Sequence, residues 1–440
     1  MSRADRVAAV VLALSAFLLF NTNGREIASF DSQPTKLAAR ELLLRGTLGL
    51  NHVVGRTPEL ADRSGFVLAQ DGRYRSAYSP VPALLAAWIS WPLWKTGALD
   101  IRAPRAPNVM AVLAASLLCA VATALVFLTG RRWLTRGSAV VLAIGFAAGT
   151  GVWSTASQTL WQHETTIFGF ALAVLALTRS TLRPMHGVAI GLGLALAGTS
   201  RMQLAPAIAI LLIATFVRGG WRAAAPAALI TGTAAALLIR VNLLWFGSLF
   251  GAAPMLEALH DQVHGVSTSF RLSATGLLGL LVSPNRGLLV FSPIVLVAAW
   301  AAGPMRRERW RDPLRWCAIA ALAQFLLYGS YTVWWGGHTY GPRYMLDLLP
   351  LMVPLAAAGG ARLQSRLLKA AAVLALAWSI VVAGTGAFFH PNDRWNTDPT
   401  DVDRHHERLW DWSDQQIVRC WQRGTSPQNF NLLTRVAWRN

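Results

Sequence analysis

Residues 107 to 129 of the chain read PNVMAVLAASLLCAVATALVFLT and contain no charged side chain. A helix of this length spans about 34 Å, which is enough to cross the ~30 Å hydrocarbon core of a bilayer. The 440-residue chain as a whole is 54% hydrophobic and 14% charged, and it contains 19 Trp. This composition excludes an ordinary soluble domain and predicts an all-α polytopic membrane protein.

Further hydrophobic runs lie on both sides of this stretch, so the sequence predicts about eleven transmembrane helices. Several runs are shorter than the ~20 residues that a perpendicular helix needs, and these must stand upright in the bilayer. The predicted spans are residues 7–21, 107–129, 138–154, 165–178, 187–199, 203–217, 224–246, 286–303, 315–331, 344–360 and 370–389.

One additional apolar stretch, residues 79–94, decides the sidedness of everything that follows it. If it lies on the surface, the short loops on one side of the membrane hold most of the Lys and Arg, as cytoplasmic loops do. If it crosses, these charges move outside. We therefore predict an interfacial helix with Trp88, Trp91 and Trp94 at the level of the headgroups. The basic loop residues include Arg131, Arg132, Arg136, Arg306, Arg307, Arg309 and Arg311.

This topology predicts a transmembrane domain over residues 1–389 with a cytoplasmic N-terminus. Residues 22–106 become a long first outer loop, and residues 390–440 form an exported tail that either caps a cavity or lies on the surface. The first span lacks a small-x-small cleavage site, which favours an anchor over a signal peptide. The net charge of +19 is scattered between apolar spans rather than gathered on one face, so nucleic acid is not a predicted partner.

No motif in the sequence indicates a cofactor or a metal site. There is no CxxC, no HExxH and no Gly-rich phosphate loop. Of the 3 Cys, only Cys420 falls in a predicted exported segment, so no disulfide is predicted there.

Polar side chains collect on the predicted outer side, where charge at the edge of hydrocarbon is costly and indicates function. Asp31 is the first, directly before a predicted helix over residues 34–45 that stops at Gly46. Each residue also has a structural interpretation: a helix-dipole partner for Asp31, a solvated turn, or arginines that reach lipid phosphates. The remaining candidates are Arg75, Tyr78, His163, Glu164, Arg201, Arg240, Arg286, His338, Tyr340 and Arg343.

One exported carboxylate and several exported arginines suit a transfer reaction that releases an anionic lipid phosphate. Asp31 would take the proton of an acceptor hydroxyl, a contribution usually worth about 10² to 10⁴ in rate. Arginine offers planar paired donors that match a phosphate, with Arg286 and Arg343 the best placed and Arg201 and Arg75 behind them. Tyr340 and His338 are predicted to shape a sugar pocket.

Several segments of the chain together resemble the GT-C superfamily of polyprenyl-phosphate-sugar-dependent glycosyltransferases, which includes protein O-mannosyltransferases and lipid A aminoarabinose transferases. The order of the segments carries the likeness, which extends to about residue 390. They are FDSQPTKLAARELLLRG (30–46), DGRYRSAYSPVPALLAAW (71–88), NLLWFGSLFGAAP (242–254), LLVSPNRGLLVFSPI (280–294) and WWGGHTYGPRYMLDLLPL (334–351).

The resemblance implies a GT-C fold with two surface helices in a periplasmic first loop, in a bacterial inner membrane. It also implies inverting transfer from a polyprenyl-phosphate sugar to a glycan, lipid or protein acceptor, with Asp31 as base. His163 and Glu164 occupy the place of a second acidic group in relatives and are predicted to bind donor or acceptor. Mannosyltransferases of this kind carry an Asp-Glu pair, whereas here Ser32 follows Asp31.

Two other classes remain open on the sequence. A transporter or flippase of a lipid-linked anion would use the same arginines without a base, although no repeated halves are evident. A non-catalytic membrane scaffold would leave the outward polar groups without a role.

Overall fold

The computed structural model describes residues 2–63, 65–264, 267–300 and 310–434. The chain begins with α1 (Arg3–Phe20), whose N-terminus is closed by reciprocal hydrogen bonds between Ser2 and Asp5. Arg131 and Arg136 both pair with the Asp5 carboxylate, at 3.0 and 3.1 Å. These ion pairs fix the start of α1 against the loop that precedes α6 (Arg136–Ala148).

The segment between α1 and the next long helix, residues 22–106, contains three α-helices and a short hairpin among its described residues. A 3-10 turn (Phe30–Ser32) leads into α2 (Gln33–Arg45), which ends at Gly46 with φ 67°, as the sequence predicted. Then come α3 (Asn51–Arg56), the strands β1 (Phe66–Leu68) and β2 (Tyr74–Ser76), which pair antiparallel, and α4 (Val81–Lys95). The structure is mostly helical, as predicted, and the hairpin adds two three-residue strands that the sequence did not indicate, on either side of the turn at Gly72.

Helix α4 covers most of the stretch predicted to be interfacial. Its 15 residues correspond to about 22 Å, which is short for crossing a ~30 Å core. Trp88 and Trp91 are 75% and 50% exposed on its surface. Helix α2 and α4 pack together and against the N-terminal half of α5 (Ala106–Gly130).

Helix α5 is largely enclosed by other helices, since 67% of its apolar window is buried. It packs against α1, α6 and α7 (His163–Leu177). Helix α7 in turn lies against α8 (Pro184–Ser200), and the two backbones meet at Gly169 and Gly193. A Cβ atom on Gly169 would lie 2.5 Å from the Gly193 carbonyl oxygen, so this close crossing requires glycine.

The next helix covers the predicted spans 203–217 and 224–246, and the region after it differs from the predicted span 286–303. Helix α9 (Ala205–Phe246) consists of two helices that meet at Gly220, where φ is 61°. After α10 (Ala253–His264) and α11 (Ala274–Val282), the predicted span 286–303 is instead broken into α12 (Leu288–Phe291), a 3-10 turn and α13 (Leu296–Ala299). Pro293 interrupts the hydrogen-bond ladder there. Arg306, Arg307 and Arg309, which were predicted to lie in a cytoplasmic loop, are outside the described residues.

Three helices complete the apolar part: α14 (Pro313–Ser330), α15 (Leu349–Ala361), which follows a 3-10 turn (Arg343–Leu348), and α16 (Arg366–Phe388). Among the described residues, four helical stretches are long and apolar enough to cross a membrane: Ala106–Gly130, Met202–Phe246, Arg343–Ala361 and Arg366–Phe388. Only 17% of the apolar window of α16 is buried, so its exposed face suits lipid. The count of eleven spans stays a prediction.

The tail packs on the bundle rather than lying loosely on its surface. It contains a 3-10 turn (His406–Trp410) and two short helices, α17 (Gln416–Arg423) and α18 (Asn431–Thr434). Trp395 is fully buried, and it joins the same core cluster as side chains of α7, α8 and α14. The main-chain N–H of Phe430 donates to the carbonyl of Asn23 at 2.8 Å, which ties the tail to the segment that follows α1.

Candidate active site

Asp31 occupies the middle of the 3-10 turn that opens α2. Ser29 precedes this turn, and its hydroxyl accepts a hydrogen bond from the Asp31 main-chain N–H at 3.2 Å. Pro34 follows in the first turn of α2, where its missing N–H costs nothing. The turn therefore fixes the backbone of Asp31 while a third of its side chain remains exposed, at 33%.

Two side chains from distant parts of the chain converge on this carboxylate. The Tyr78 hydroxyl donates to Oδ1 at 3.0 Å, and Arg343 Nη1 donates to Oδ2 at 2.9 Å. Burial and the negative charge of Asp31 raise the pKa of Tyr78 well above its usual value, so the phenol stays a donor. Of the predicted site residues, Asp31, Tyr78 and Arg343 thus form one group.

Arg343 is oriented by aromatic rings as well as by Asp31. Its guanidinium carbon lies 5.3 Å from the ring centroid of Trp161 and 5.6 Å from that of Tyr344. The Nε–H of Arg343 is buried and has no hydrogen-bond partner in the described part of the chain. Because the guanidinium is planar and forked, an edge that contains Nε remains for an oxyanion while Nη1 holds Asp31.

A second polar cluster surrounds Asp347, which is fully buried. His163 Nδ1 lies 2.8 Å from Oδ1, Arg201 Nε lies 3.1 Å from Oδ2, and the Tyr328 hydroxyl also donates to Oδ2. Both clusters share Tyr344, because the Arg201 guanidinium carbon lies 5.7 Å from its ring centroid. The predicted residues Arg201 and His163 therefore belong to the Asp347 cluster, which meets the Asp31 group at Tyr344.

The sequence interpretation missed four of these residues. Asp347 lay within a run taken as an apolar span, although an acid inside such a run is itself a signal of function. Tyr328 and Tyr344 also lie in or beside predicted spans, and Trp161 stands just before His163. The stacked rings of Tyr328 and Tyr344, with centroids 5.2 Å apart, follow from three-dimensional packing alone.

Arg286 lies elsewhere, in a role that the sequence did not indicate. Nε donates to the Trp335 carbonyl, Nη1 to the Asn285 carbonyl and Gln416 Oε1, and Nη2 to the Gly337 carbonyl and Asn396 Oδ1, all at 2.7–3.2 Å. An arginine has five N–H donors, and all five are taken by protein oxygens. This geometry does not favour the predicted phosphate clamp and makes Arg286 an anchor for the tail.

Three other predicted residues also point away from Asp31. Arg75 is buried, pairs with Asp71 and stacks 4.1 Å from the ring centroid of Trp245. The Tyr340 hydroxyl donates to the Val382 carbonyl at 2.9 Å. Arg240 is exposed on α9 and has no hydrogen bond or ion pair with any described residue.

Glu164 is fully buried at the start of α7. Its Oε1 accepts from the Thr165 hydroxyl at 3.3 Å, and its Oε2 is buried with no partner among the described residues. A buried oxygen without a partner indicates a position at which a proton or a bound polar group completes the site. The geometry leaves Glu164 next to His163 in the chain but does not bring it into the Asp31 group.

His338 is the centre of the grouping in the described chain that has metal-binding character. Its Nε2 lies 2.9 Å from Asp401 Oδ1 and 3.3 Å from Asp403 Oδ2. The three ligand atoms lie within 4.8 Å of one another. The imidazole lies between the two carboxylates, so this cluster joins the loop of residues 335–341 to the tail.

No family model and no curated protein matches the sequence. Among solved structures, the chain is similar to the oligosaccharyltransferase AglB of Archaeoglobus fulgidus in complex with an inhibitory peptide and a dolichol-phosphate. That match has TM-score 0.50 and 11% identity and covers 94% of this chain and 61% of that chain. The complex of the Archaeoglobus fulgidus oligosaccharyltransferase with Zn and sulfate matches with TM-score 0.52 and 14% identity, over 92% and 57%.

The chain has a GT-C fold. The fold predicted from the order of its sequence motifs is therefore confirmed, and so is its membrane-protein character. The chain spans less than two thirds of the length of the oligosaccharyltransferases that it matches. At this identity the likeness concerns the fold, and the chemistry has to be argued from the residues of this chain.

Proposed function

We propose that the chain is an inverting glycosyltransferase that moves a sugar from a polyprenyl-phosphate donor to an extracytoplasmic acceptor. The observation that supports this most is the pairing of Asp31 with Arg343 at 2.9 Å, completed by Tyr78 at 3.0 Å. This arrangement puts a partly exposed carboxylate beside a cation that has a free donor edge. A base and an oxyanion clamp are the two groups that the transfer needs.

Donor binding would prepare the base. A lipid phosphate on the free edge of Arg343 competes with Asp31 for the positive charge of the guanidinium. Asp31 then loses part of its ion pair and becomes a stronger acceptor for the hydroxyl proton of the second substrate. Tyr78 keeps the carboxylate oriented meanwhile. As the bond between the anomeric carbon and phosphate breaks, Arg343 stabilises the departing phosphate, about 3 kcal/mol for a well-placed donor.

The second polar cluster, around Asp347, would hold Arg343 in position. Arg201 and Asp347 form a buried pair. The Tyr344 ring lies 5.7 Å from the guanidinium carbon of Arg201 and 5.6 Å from that of Arg343. A second cation close to the reacting phosphate also raises the local positive potential. We assign Arg201 and His163 to positioning and donor attraction rather than to proton transfer.

The proposed setting is a bacterial inner membrane, with the N-terminus in the cytoplasm and the Asp31 group on the outer side. The bilayer supplies the lipid donor, and no nucleic acid takes part. One solved structure of similar fold holds a dolichol-phosphate and a peptide. That complex supports a lipid-phosphate donor for this chain and leaves its acceptor as glycan, lipid or protein.

The test measures release of polyprenyl phosphate from a panel of polyprenyl-phosphate sugars by the purified chain, with membrane extract as the source of acceptor. Asp31→Asn is the inactive comparison and Asp62→Asn, a change in an exposed part of the same loop, is the matched control. Release by wild type and the control alone supports the transferase. Movement of labelled lipid across vesicles without release would instead support the flippase, which needs the arginines but no base.

A further inference from the structure

A polar cleft lies between the start of α2 and the end of the tail. Its walls include Arg25, Gln33, Lys36, Arg105 and Asn431. Gln33 and Lys36 are three positions apart, so they share one face of α2. The proposed transfer chemistry does not use any of these side chains.

Arg25 is the unusual member of this cleft, because it is only 2% exposed and has no carboxylate within ion-pair distance in the described part of the chain. Its Nη2 donates to the carbonyls of Ala387 and His390, whereas Nε and Nη1 are buried and have no hydrogen-bond partner among the described residues. The nearby Asp393 is engaged by His390 at 3.0 Å. Burial lowers the pKa of Arg25 to about 10, which leaves it protonated at neutral pH.

The remaining charges make the cleft positive. Lys36 Nζ lies 2.6 Å from Glu26, and the Thr159 hydroxyl donates to the same carboxylate at 2.5 Å. This pair is neutral overall. Arg105 donates through Nη1 to the Asn431 carbonyl at 2.9 Å and has no ion pair among the described residues. Two arginines therefore line the cleft, one of them buried with unused donors, and the carboxylate that acts on Arg25, Asp393, is shared with His390.

We infer that this cleft binds an anionic group, a phosphate or a carboxylate, of the acceptor. The assignment to an acceptor rests on the proposed function, whereas the anion site itself does not. Asp31 lies two residues before Gln33, so their Cα atoms are at most about 7 Å apart. An acceptor anchored by its anionic group on Arg25 and Arg105 therefore extends along the first turn of α2 toward the proposed base.

Equilibrium dialysis of the full-length chain in detergent with radiolabelled inorganic phosphate tests the anion site directly. Arg105→Gln should weaken phosphate binding about tenfold or more, the usual effect of losing one charge-assisted hydrogen bond. Arg105→Lys keeps the charge and should lose less. Arg102→Gln, a nearby exposed arginine that does not line the cleft, should bind as wild type does.

Lys36→Gln provides a second variant in case Arg105→Gln alters the tail. Each variant is first checked to be a single monodisperse species. Phosphate binding that is equal in wild type, Arg105→Gln and Lys36→Gln would overturn the anion site. Repeating the dialysis in nanodiscs separates two sources of the anion. Displacement of phosphate by anionic phospholipid, relative to zwitterionic lipid, identifies a lipid headgroup as the occupant, and no displacement identifies a soluble or glycan anion.

The transfer assay then separates this inference from the proposed function. If both hold, Arg105→Gln raises the KM for acceptor about tenfold with kcat and the donor KM little changed. Loss of phosphate binding in the variants without any transfer by wild type would keep the anion site and reject the transferase. A change in donor KM alone would reject the assignment to the acceptor.

Discussion

Arg286→Lys is the substitution that best separates the two roles available to Arg286. Lysine keeps the charge but has three donors instead of five, so at least two of the five protein oxygens lose their partner. Hydrogen bonds to a charged group contribute about 1.5 to 3 kcal/mol each. The expected loss is therefore about 3 to 6 kcal/mol, a large part of the 5 to 15 kcal/mol that stabilises a typical domain.

The consequence should reach Arg343 through the loop between Trp335 and Arg343. Arg286 holds the Trp335 and Gly337 carbonyls of this loop on one side and Gln416 of the tail on the other. Without these bonds the tail should open to protease at a lower temperature. Turnover should fall because Arg343 is no longer held against Asp31.

The assay combines limited proteolysis of the tail, thermal unfolding in detergent and release of polyprenyl phosphate. Arg271→Lys, at an exposed position, is the matched control and should change none of these. A variant Arg286→Lys with unchanged thermal unfolding and proteolysis but weaker donor binding would refute the anchor role. It would restore the phosphate clamp that the sequence suggested.

The remaining predictions concern the two polar clusters. Tyr78→Phe removes one hydrogen bond to Asp31 and should lower turnover about tenfold. Burial and Asp31 raise the pKa of Tyr78, so the phenol does not ionise between about pH 7 and 9. Turnover of wild type and variant should therefore change in parallel with pH over this range. Arg343→Lys should lower donor affinity and turnover about 10²-fold because the paired donor edge of the guanidinium is lost. Binding of labelled lipid phosphate to wild type and variant is the measurement. Asp347→Asn leaves buried Arg201 without its counter-charge and should reduce the free energy of unfolding by about 3 to 5 kcal/mol, measured by denaturant titration.

Local signals in the sequence were sufficient for much of the helical framework. The stop of α2 at Gly46 and the break of α9 at Gly220 both follow from glycine adopting positive φ. Composition alone misread residues 286–303, because an apolar run says nothing about whether the hydrogen-bond ladder continues past Pro293. The hairpin in the first loop was missed because its strands have only three residues each.

The candidate site was predicted in part, for a physical reason. Asp31, Tyr78 and Arg343 were selected because charge and hydrogen-bonding groups at a membrane edge need a purpose. Their convergence, with Arg343 312 positions after Asp31 in the chain, depends on tertiary packing. Arg286 had the same sequence signal, and only the identity of its five acceptors distinguishes an anchor from a clamp. Asp347 was missed because it lies in a run interpreted as an apolar span, and because its partners His163 and Arg201 are remote in sequence.

The most direct test of the account is single-turnover transfer by Asp31→Asn with donor bound. Asparagine keeps the size of the side chain and removes the base, so donor binding should stay near that of wild type while transfer falls by about 10² or more. This result would establish Asp31 as the group that accepts the proton. Equal single-turnover rates in wild type and Asp31→Asn would contradict the proposed mechanism.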